Sequence, residues 1–171
     1  MTSQLSSAIE PASEPPLNRG HVAQVGLTVE TLTHTDLSGL DALFQAHTGR
    51  QADLELLGSW IAGSPSAGAR RGGELVGYLV TKRFAPDVTE IASLLIAPAE
   101  RSEGIGSALV AHVERKCAAV GTGAIVVASS AGYATLEERR SPRRMYERLG
   151  YRVLLATAQT EVLGRGLDAG A

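Results

Sequence analysis

The spacing of apolar residues divides the chain into strand and helix segments. Apolar and polar residues alternate over residues 27–32, which is typical of a half-buried strand, whereas Leu37, Leu40, Leu43 and Phe44 lie at helical spacing. The predicted segments after residue 32 are helices over 33–49 and 52–61, strands over 67–71, 74–81 and 88–96, a helix over 104–120, a strand over 124–128, a helix over 141–150, and strands over 151–156 and 159–163. This order predicts a mixed sheet with flanking helices.

The two ends of the chain carry no such pattern. Residues 1–20 contain four Ser and three of the seven Pro. A polar segment of this kind cannot bury enough apolar surface to offset the entropy lost on ordering. We therefore predict a disordered leader over residues 1–20, a single domain over 21–164 without internal repeats, and a flexible tail over 165–171.

The composition excludes several classes of protein. The 171 residues are 44% hydrophobic and 20% charged, which suffices for one hydrophobic core, and the net charge of −2 argues against binding of nucleic acid by bulk positive charge. The single cysteine, Cys117, excludes an internal disulfide and a cysteine zinc cluster, and the four histidines show no metal-ligand spacing. With no apolar run near ~18 residues and no secretory signal, the sequence predicts a soluble, cytoplasmic protein without a metal.

The strand over 88–96 is followed by a turn that opens directly into the predicted helix over 104–120. The turn reads Arg101-Ser102-Glu103-Gly104-Ile105-Gly106. Free N–H groups at a helix start, the helix dipole, and glycines that let an anion approach the backbone are together typical of a phosphate site. Two better-known phosphate motifs are absent, because Leu109 stands where a dinucleotide-binding motif needs its third glycine and the Gly-Lys-Ser/Thr of a P-loop does not follow.

Two segments resemble motifs of one enzyme superfamily. The first is Arg101-x-x-Gly104-x-Gly106, preceded by residues 90–98, and the second is the sequence YERLGY over 146–151. Together with the order of elements, they resemble the GNAT superfamily, the acetyl-CoA-dependent N-acetyltransferases. The resemblance implies an α/β (α+β) fold with a mixed, mostly antiparallel central sheet of roughly six to seven strands and about four flanking helices.

The resemblance also implies a reaction and the residues that carry it out. An acetyl group would pass from acetyl-CoA to a primary amine of a small molecule, peptide or protein, by direct attack through a tetrahedral intermediate. Tyr146 would protonate the leaving thiolate, Glu90 or a water molecule would deprotonate the amine, and Trp60 would line the acceptor site. Backbone groups of Leu94, Leu95 and Ile96 would pair with the pantetheine arm, and one of them would polarise the thioester carbonyl. The backbone that would hold the coenzyme A diphosphate belongs to Arg101, Ser102, Glu103, Gly104, Ile105, Gly106 and Ser107.

Three positions depart from the family pattern. Glu103 brings a carboxylate next to the expected diphosphate, Arg139 replaces the usual asparagine, and Pro142 stands where many members have a small residue. These departures leave open an alternative, a non-catalytic acyl-CoA-binding regulatory domain. The arginine-rich segment 137–152 is either a solvated helix face or a contact to an anionic group, for which Arg143 and Arg144 are the candidates. The expected partner is the amine substrate, with no nucleic acid and no membrane, and a homodimer through the last strands is left open.

Overall fold

The computed structural model describes residues 26–130 and 136–167, so the predicted leader lies outside the described residues and the domain limits of 21–164 stay a proposal. Within the described ranges, seven strands and four α helices follow in the predicted order, which confirms the expected mixed fold. Short 3-10 turns, His34–Asp36 and Pro98–Glu100, precede the first helix and follow the fourth strand. The elements are β1 (Leu27–Thr31), α1 (Leu37–Thr48), α2 (Leu54–Gly63), β2 (Ala67–Arg71), β3 (Glu74–Ala85), β4 (Val88–Ile96), α3 (Ile105–Ala119), β5 (Ala124–Ser130), α4 (Leu136–Arg148), β6 (Arg152–Ala156) and β7 (Thr160–Gly166).

The seven described strands form one sheet in the order β1-β2-β3-β4-β5-β7-β6. Within it, β4 and β5 run parallel and the other neighbouring pairs are antiparallel. Parallel neighbours need a crossover connection, which α3 supplies here. The parallel pair therefore lies at the centre of the sheet, and α3 begins shortly after β4 ends.

Two apolar clusters cover the two faces of the sheet. On one face, the buried stripe of α3 packs with Ile91, Ile125, Leu163 and Tyr146. On the other face, α1 and α2 pack against β3 and the end of β4 through a second cluster that includes Tyr78. Within the described ranges, no helix is long and apolar enough to cross a membrane.

Several element limits differ from the sequence prediction. β5 and β7 continue to Ser130 and Gly166, past the predicted 128 and 163, so that β7 includes the first two residues of the predicted tail. The predicted start of the last helix at residue 141 is wrong, because α4 spans Leu136–Arg148 and contains Pro142 in its interior. A proline there removes one helical hydrogen bond and crowds the preceding turn, at a cost of about 3 kcal/mol. The packing of Tyr146 and Met145 in the α3 cluster offsets this cost, because tertiary contacts supply most of the stability of a helix in a protein. β3 also continues past the predicted residue 81, because its ladder with β4 extends to the pair Ala85 and Val88.

Candidate active site

The two parallel strands separate halfway along their length. Within the described residues, the pairing of β4 with β5 runs from Val88 to Ile91 of β4 and no further. On its other side, β4 pairs with consecutive β3 residues through Ile91 and Ser93, so Ala92 is an extra residue, a β-bulge. A bulge bends the strand that carries it, and this one comes directly after the last residue that pairs with β5. The backbone of 94–96 therefore borders a gap on the β5 side.

The side chains of this strand end hold it in place. Leu94 and Ile96 pack against the α3 cluster, and Leu95 is buried in the cluster under α1 and α2. With the side chains anchored on both faces, the backbone that borders the gap is fixed. An extended ligand could therefore pair with it as an added strand would.

The turn after β4 has the backbone of an anion site. Ser102 and Gly104 have positive φ angles of 68° and 79°, and Gly104 begins α3 without a side-chain cap. The first helical hydrogen bond runs from the Ala108 N–H to the Gly104 carbonyl at 3.1 Å. The N–H groups of residues 105–107 precede it and therefore have no carbonyl acceptor within the helix. A Cβ at Gly104 would meet nothing within 4 Å. The turn therefore presents free donors next to open space, which favours a phosphate.

Gly106 has a different role from Gly104. It is buried, and a Cβ there would lie 2.7 Å from the Met145 sulfur and 3.3 Å from Ile96 Cδ1. The missing side chain thus lets α4 pack closely against the start of α3 and the end of β4. Of the two glycines in the motif, Gly104 leaves room for a ligand and Gly106 leaves room for the neighbouring helix.

The other side chains of the turn differ in their contacts: Arg101 forms hydrogen bonds to neighbouring elements, Ile105 is buried and Glu103 is exposed. Arg101 Nε donates to the Ile96 carbonyl at 3.2 Å, and its Nη2 lies 3.2 Å from His47 Nδ1 in the last turn of α1. Ile105 is buried, so it offers only its backbone, whereas Glu103 is exposed. Arg101 therefore ties the turn to both β4 and α1.

Tyr146 lies on the α3 and α4 side of the sheet. Its side chain is buried in the cluster that contains Ile91 and Val127, the last pair before β4 and β5 separate, and its ring centroid is 5.3 Å from that of Tyr151. Burial raises the pKa of the Tyr146 phenol above its ordinary value. No hydrogen bond to this hydroxyl occurs within the described part of the chain. Tyr146 thus has a buried hydroxyl that keeps its proton and has no hydrogen-bond partner among the described residues.

Glu90 lies on the opposite face, one residue before the last β4–β5 pair. Its carboxylate forms an ion pair with Lys82, with Nζ 3.3 Å from Oε2, and Lys82 Nζ lies 5.5 Å from the centroid of the Trp60 ring. The candidate acid and the candidate base therefore flank the point of strand separation from two sides. Lys82 is not among the residues predicted from the sequence, although the alternation of β3 indicates that Lys82 shares a face with Val80 under α2.

The structure separates the two arginine candidates on α4. Arg143 is already engaged, because its Nε donates to Glu147 at 2.8 Å and its Nη1 to Glu161 at 2.6 Å. The bond to Glu147 and the charge of Glu161 raise the pKa of the guanidinium. Arg144 is exposed and has no charged partner within the described ranges, so it is the better candidate for an anion contact. The side chains of 139 and 140 lie outside the described residues, and no cluster that could hold a metal occurs among the described ones.

Comparisons with known proteins agree with this geometry. The sequence model of the acetyltransferase (GNAT) family matches residues 36–151, more than half of the chain. A search of curated proteins finds no significant sequence match. Three similar solved structures illustrate the shared fold. The ribosomal-protein-S18-alanine N-acetyltransferase from Escherichia coli has a TM-score of 0.68 at 15% identity, covering 85% of this chain and 96% of its own.

The other two structures contain a coenzyme. The phosphinothricin acetyltransferase from Sinorhizobium meliloti, in complex with acetyl-CoA, has a TM-score of 0.69 at 17% identity, covering 85% of this chain and 90% of its own. The PaiA N-acetyltransferase from Thermoplasma acidophilum, in complex with coenzyme A, has a TM-score of 0.67 at 15% identity, covering 82% of this chain and 98% of its own. At these identities the likeness shows the shared fold.

Proposed function

Because the chain belongs to the acetyltransferase (GNAT) family, we propose that it moves an acetyl group from acetyl-CoA to a primary amine of a small molecule, peptide or protein. The observation that carries the proposal is the open turn around Gly104 at the end of a gap between two parallel strands. Coenzyme A has a diphosphate and an extended arm, which suit these two features together. The diphosphate would bind the backbone of 101–107, and the pantetheine arm would pair with the backbone of 94–96.

The proposed reaction is a direct attack on the thioester. The amine nitrogen attacks the carbonyl carbon, so that a C–N bond forms and the C–S bond breaks through a tetrahedral intermediate. Glu90, or a water molecule, takes the proton that the nitrogen loses, and Tyr146 gives its proton to the thiolate and regains one from solvent. A backbone N–H of 94–96 would stabilise the charge on the carbonyl oxygen. The buried, protonated hydroxyl of Tyr146 and the position of Glu90 at the strand separation support these two roles.

Glu90→Gln tests the assignment of the base. The amide keeps the shape of the side chain but does not accept a proton, so we expect kcat/KM for an accepted amine to fall about 10- to 100-fold at pH 7. Because a free alkyl amine has a pKa of about 10.4, the deficit should shrink toward pH 10, where roughly a quarter of the substrate is already deprotonated. Initial rates of thiol release across this range are the measurement. If the variant is as fast as the unaltered chain at pH 7, a water molecule and not Glu90 takes the proton from the amine.

The experiment that tests the function combines turnover with binding. The full chain is mixed with acetyl-CoA and a panel of amines, which includes amino acids, polyamines, aminoglycosides, and peptides with a free N-terminus or lysine. Free thiol is followed, and a thermal shift with coenzyme A is measured in parallel. Thiol release with any amine supports the proposal. A thermal shift without any release would favour the alternative, a non-catalytic acyl-CoA-binding regulatory domain, and the absence of both would contradict each of them.

We further infer that two copies associate through β6, the edge strand of the sheet. Three large apolar side chains are exposed on it, namely Val153 at 40%, Leu154 at 64% and Leu155 at 53%. Edge strands usually carry charges or proline that discourage pairing, and β6 carries one charge, Arg152 at its first position, and no proline. Antiparallel pairing centred on Leu154 would bring Arg152 opposite the partner's Ala156 and near the partner's Glu161, which pairs with Ala156 on β7.

Leu154→Glu is therefore expected to convert a dimer into a monomer, because it introduces two like charges at the centre of the paired strands. Sedimentation velocity at about 50 μM, well above the micromolar dissociation constants of stable complexes, is the measurement. Phe84→Glu is the matched control, since Phe84 is 67% exposed on β3, away from β6, and its replacement should leave the dimer intact. A monomeric unaltered chain would refute the inference.

The absence of nucleic acid partners and the cytoplasmic location stay predictions from the sequence.

A further inference from the structure

The proposed base already holds an ammonium group. Lys82 Nζ lies 3.3 Å from Glu90 Oε2 and 5.5 Å from the centroid of the Trp60 ring. Lys82 and Glu90 are cross-strand partners on β3 and β4, and Trp60 belongs to α2, which packs on the same face. A carboxylate and an indole face from two different elements thus enclose one primary ammonium.

The side chains of Glu90 and Trp60 are held more firmly than the side chain of Lys82. The Glu90 side chain is 16% exposed and continues a paired strand, and Trp60 is half-buried against the α1 and α2 cluster. The Lys82 side chain is 36% exposed and hangs on a flexible four-carbon stem. A carboxylate attracts any nearby cation, and tryptophan is the side chain that binds cations best through its ring face. Lys82 can therefore leave while the ammonium-binding geometry stays in place.

The ion pair between Lys82 and Glu90 conflicts with the proposed role of Glu90 as general base. A general base must contact the proton that it removes, yet the Glu90 carboxylate is in contact with the Lys82 ammonium. The incoming amine is itself an ammonium at neutral pH, since alkyl amines have pKa values of about 10.4. Exchange of one ammonium for the other removes the conflict without moving either Glu90 or Trp60.

We propose that Glu90 and Trp60 form the ammonium subsite of the acceptor and that Lys82 is a tethered occupant which the acceptor displaces. The proposal rests on the acetyl transfer proposed above and names its substrate class. The lysine side chain occupies this space with an unhindered –CH₂–NH₃⁺ group on a flexible alkyl chain. The acceptor is accordingly a primary alkylammonium, whose charged nitrogen takes the place of Lys82 Nζ between the Glu90 carboxylate and the Trp60 ring.

Lys82→Met tests the subsite directly, because methionine keeps most of the aliphatic stem and removes the charged nitrogen. Trp60 is the single tryptophan of the chain, so the fluorescence of the protein reports on this position. The variant is titrated with n-butylammonium chloride in the absence of acetyl-CoA, with n-butanol and sodium chloride as controls. We expect a saturable change in fluorescence with n-butylammonium, and binding at least about tenfold tighter than to the unaltered chain, in which Lys82 competes. The same salt should raise the Tm of the variant.

Two further variants separate a subsite from a structural ion pair. Lys82→Arg keeps a cation next to Glu90 and should bind n-butylammonium as weakly as the unaltered chain. Lys82→Met combined with Glu90→Gln removes the carboxylate charge and should abolish the response. If Lys82→Met does not fold, Lys82→Gln is titrated in its place.

The proposal is overturned if the Lys82 variant binds n-butylammonium no better than the unaltered chain. It is overturned equally if n-butanol produces the same response, because the subsite would then recognise the alkyl chain and not the charge. Acetyl-CoA is absent from this assay. A failure here is therefore distinguishable from a failure of the amine panel, which would leave the ammonium titration unaffected.

Discussion

Replacing Gly104 with alanine is expected to weaken coenzyme A binding about 100-fold in a protein that still folds. Gly104 has a φ of 79° and borders open space, so a methyl group there would occupy the volume next to the free N–H groups of α3. The diphosphate would then lie too far from the backbone to keep about two charge-assisted hydrogen bonds, and 100-fold corresponds to about 2.7 kcal/mol. Isothermal titration calorimetry with coenzyme A measures the change.

Gly121→Ala is a matched control for this substitution. Gly121 also has a positive φ, 82°, also has nothing within 4 Å of an added Cβ, and lies just beyond the other end of the same helix. The left-handed conformation of the new alanine should lower the free energy of unfolding by about 1 kcal/mol in each variant. Similar losses of stability, with coenzyme A affinity lost only in the Gly104 variant, are the expected pattern. Equal affinity in both variants would mean that the turn does not contact the diphosphate.

Tyr146→Phe is expected to lower kcat about 100-fold with little change in the affinity for acetyl-CoA. The substitution removes the proton donor for the leaving thiolate and keeps the ring in the core. The effect should fall at the lower end of the usual range of about 10²- to 10⁴-fold for general acids. A phenol has a reference pKa of about 10 and a thiol one of about 8.5, so proton transfer from the phenol to a thiolate is unfavourable. Burial raises the pKa of Tyr146 and makes this transfer less favourable still. Steady-state and single-turnover rates of thiol release are the measurements.

The pH dependence follows from the direction of the same shift. Because the pKa of Tyr146 lies above its ordinary value, the phenol keeps its proton up to at least about pH 10. We therefore expect kcat to show no falling limb from loss of the acid below that pH. Tyr151→Phe is the control, since Tyr151 is a buried tyrosine of the same cluster whose ring lies next to that of Tyr146. Full activity of the Tyr146 variant, or an equal loss in both variants, would remove Tyr146 from the mechanism.

The central elements could be predicted from the sequence because each carries a local signal. The apolar run of β4, the glycines of the turn and the helical spacing of α3 lie next to one another in the chain. Their order along the chain determines that the turn follows the strand and begins the helix. A local pattern is sufficient where the structure that it determines is also local.

Other features depend on contacts that a single sequence does not encode locally. The bulge at Ala92 arises from the registers of β4 with its two neighbours, and no glycine or proline marks it. The cluster of Lys82, Glu90 and Trp60 requires both the strand register and the packing of α2. The wrong start of α4 has the opposite cause, because the local signal of Pro142 is strong and the tertiary packing of Tyr146 and Met145 offsets it.

The proposed acetyl transfer requires the main-chain groups of 101–107 to bind the diphosphate of an acyl carrier. The most direct test is calorimetric titration of the full chain with coenzyme A and, separately, with pantetheine, which has the same arm and thiol but no diphosphate. We expect one saturable site for coenzyme A, with a Kd on the order of 10 μM, and binding of pantetheine at least about 100-fold weaker. Equal affinities for the two compounds, or no heat with coenzyme A at millimolar concentration, would contradict it.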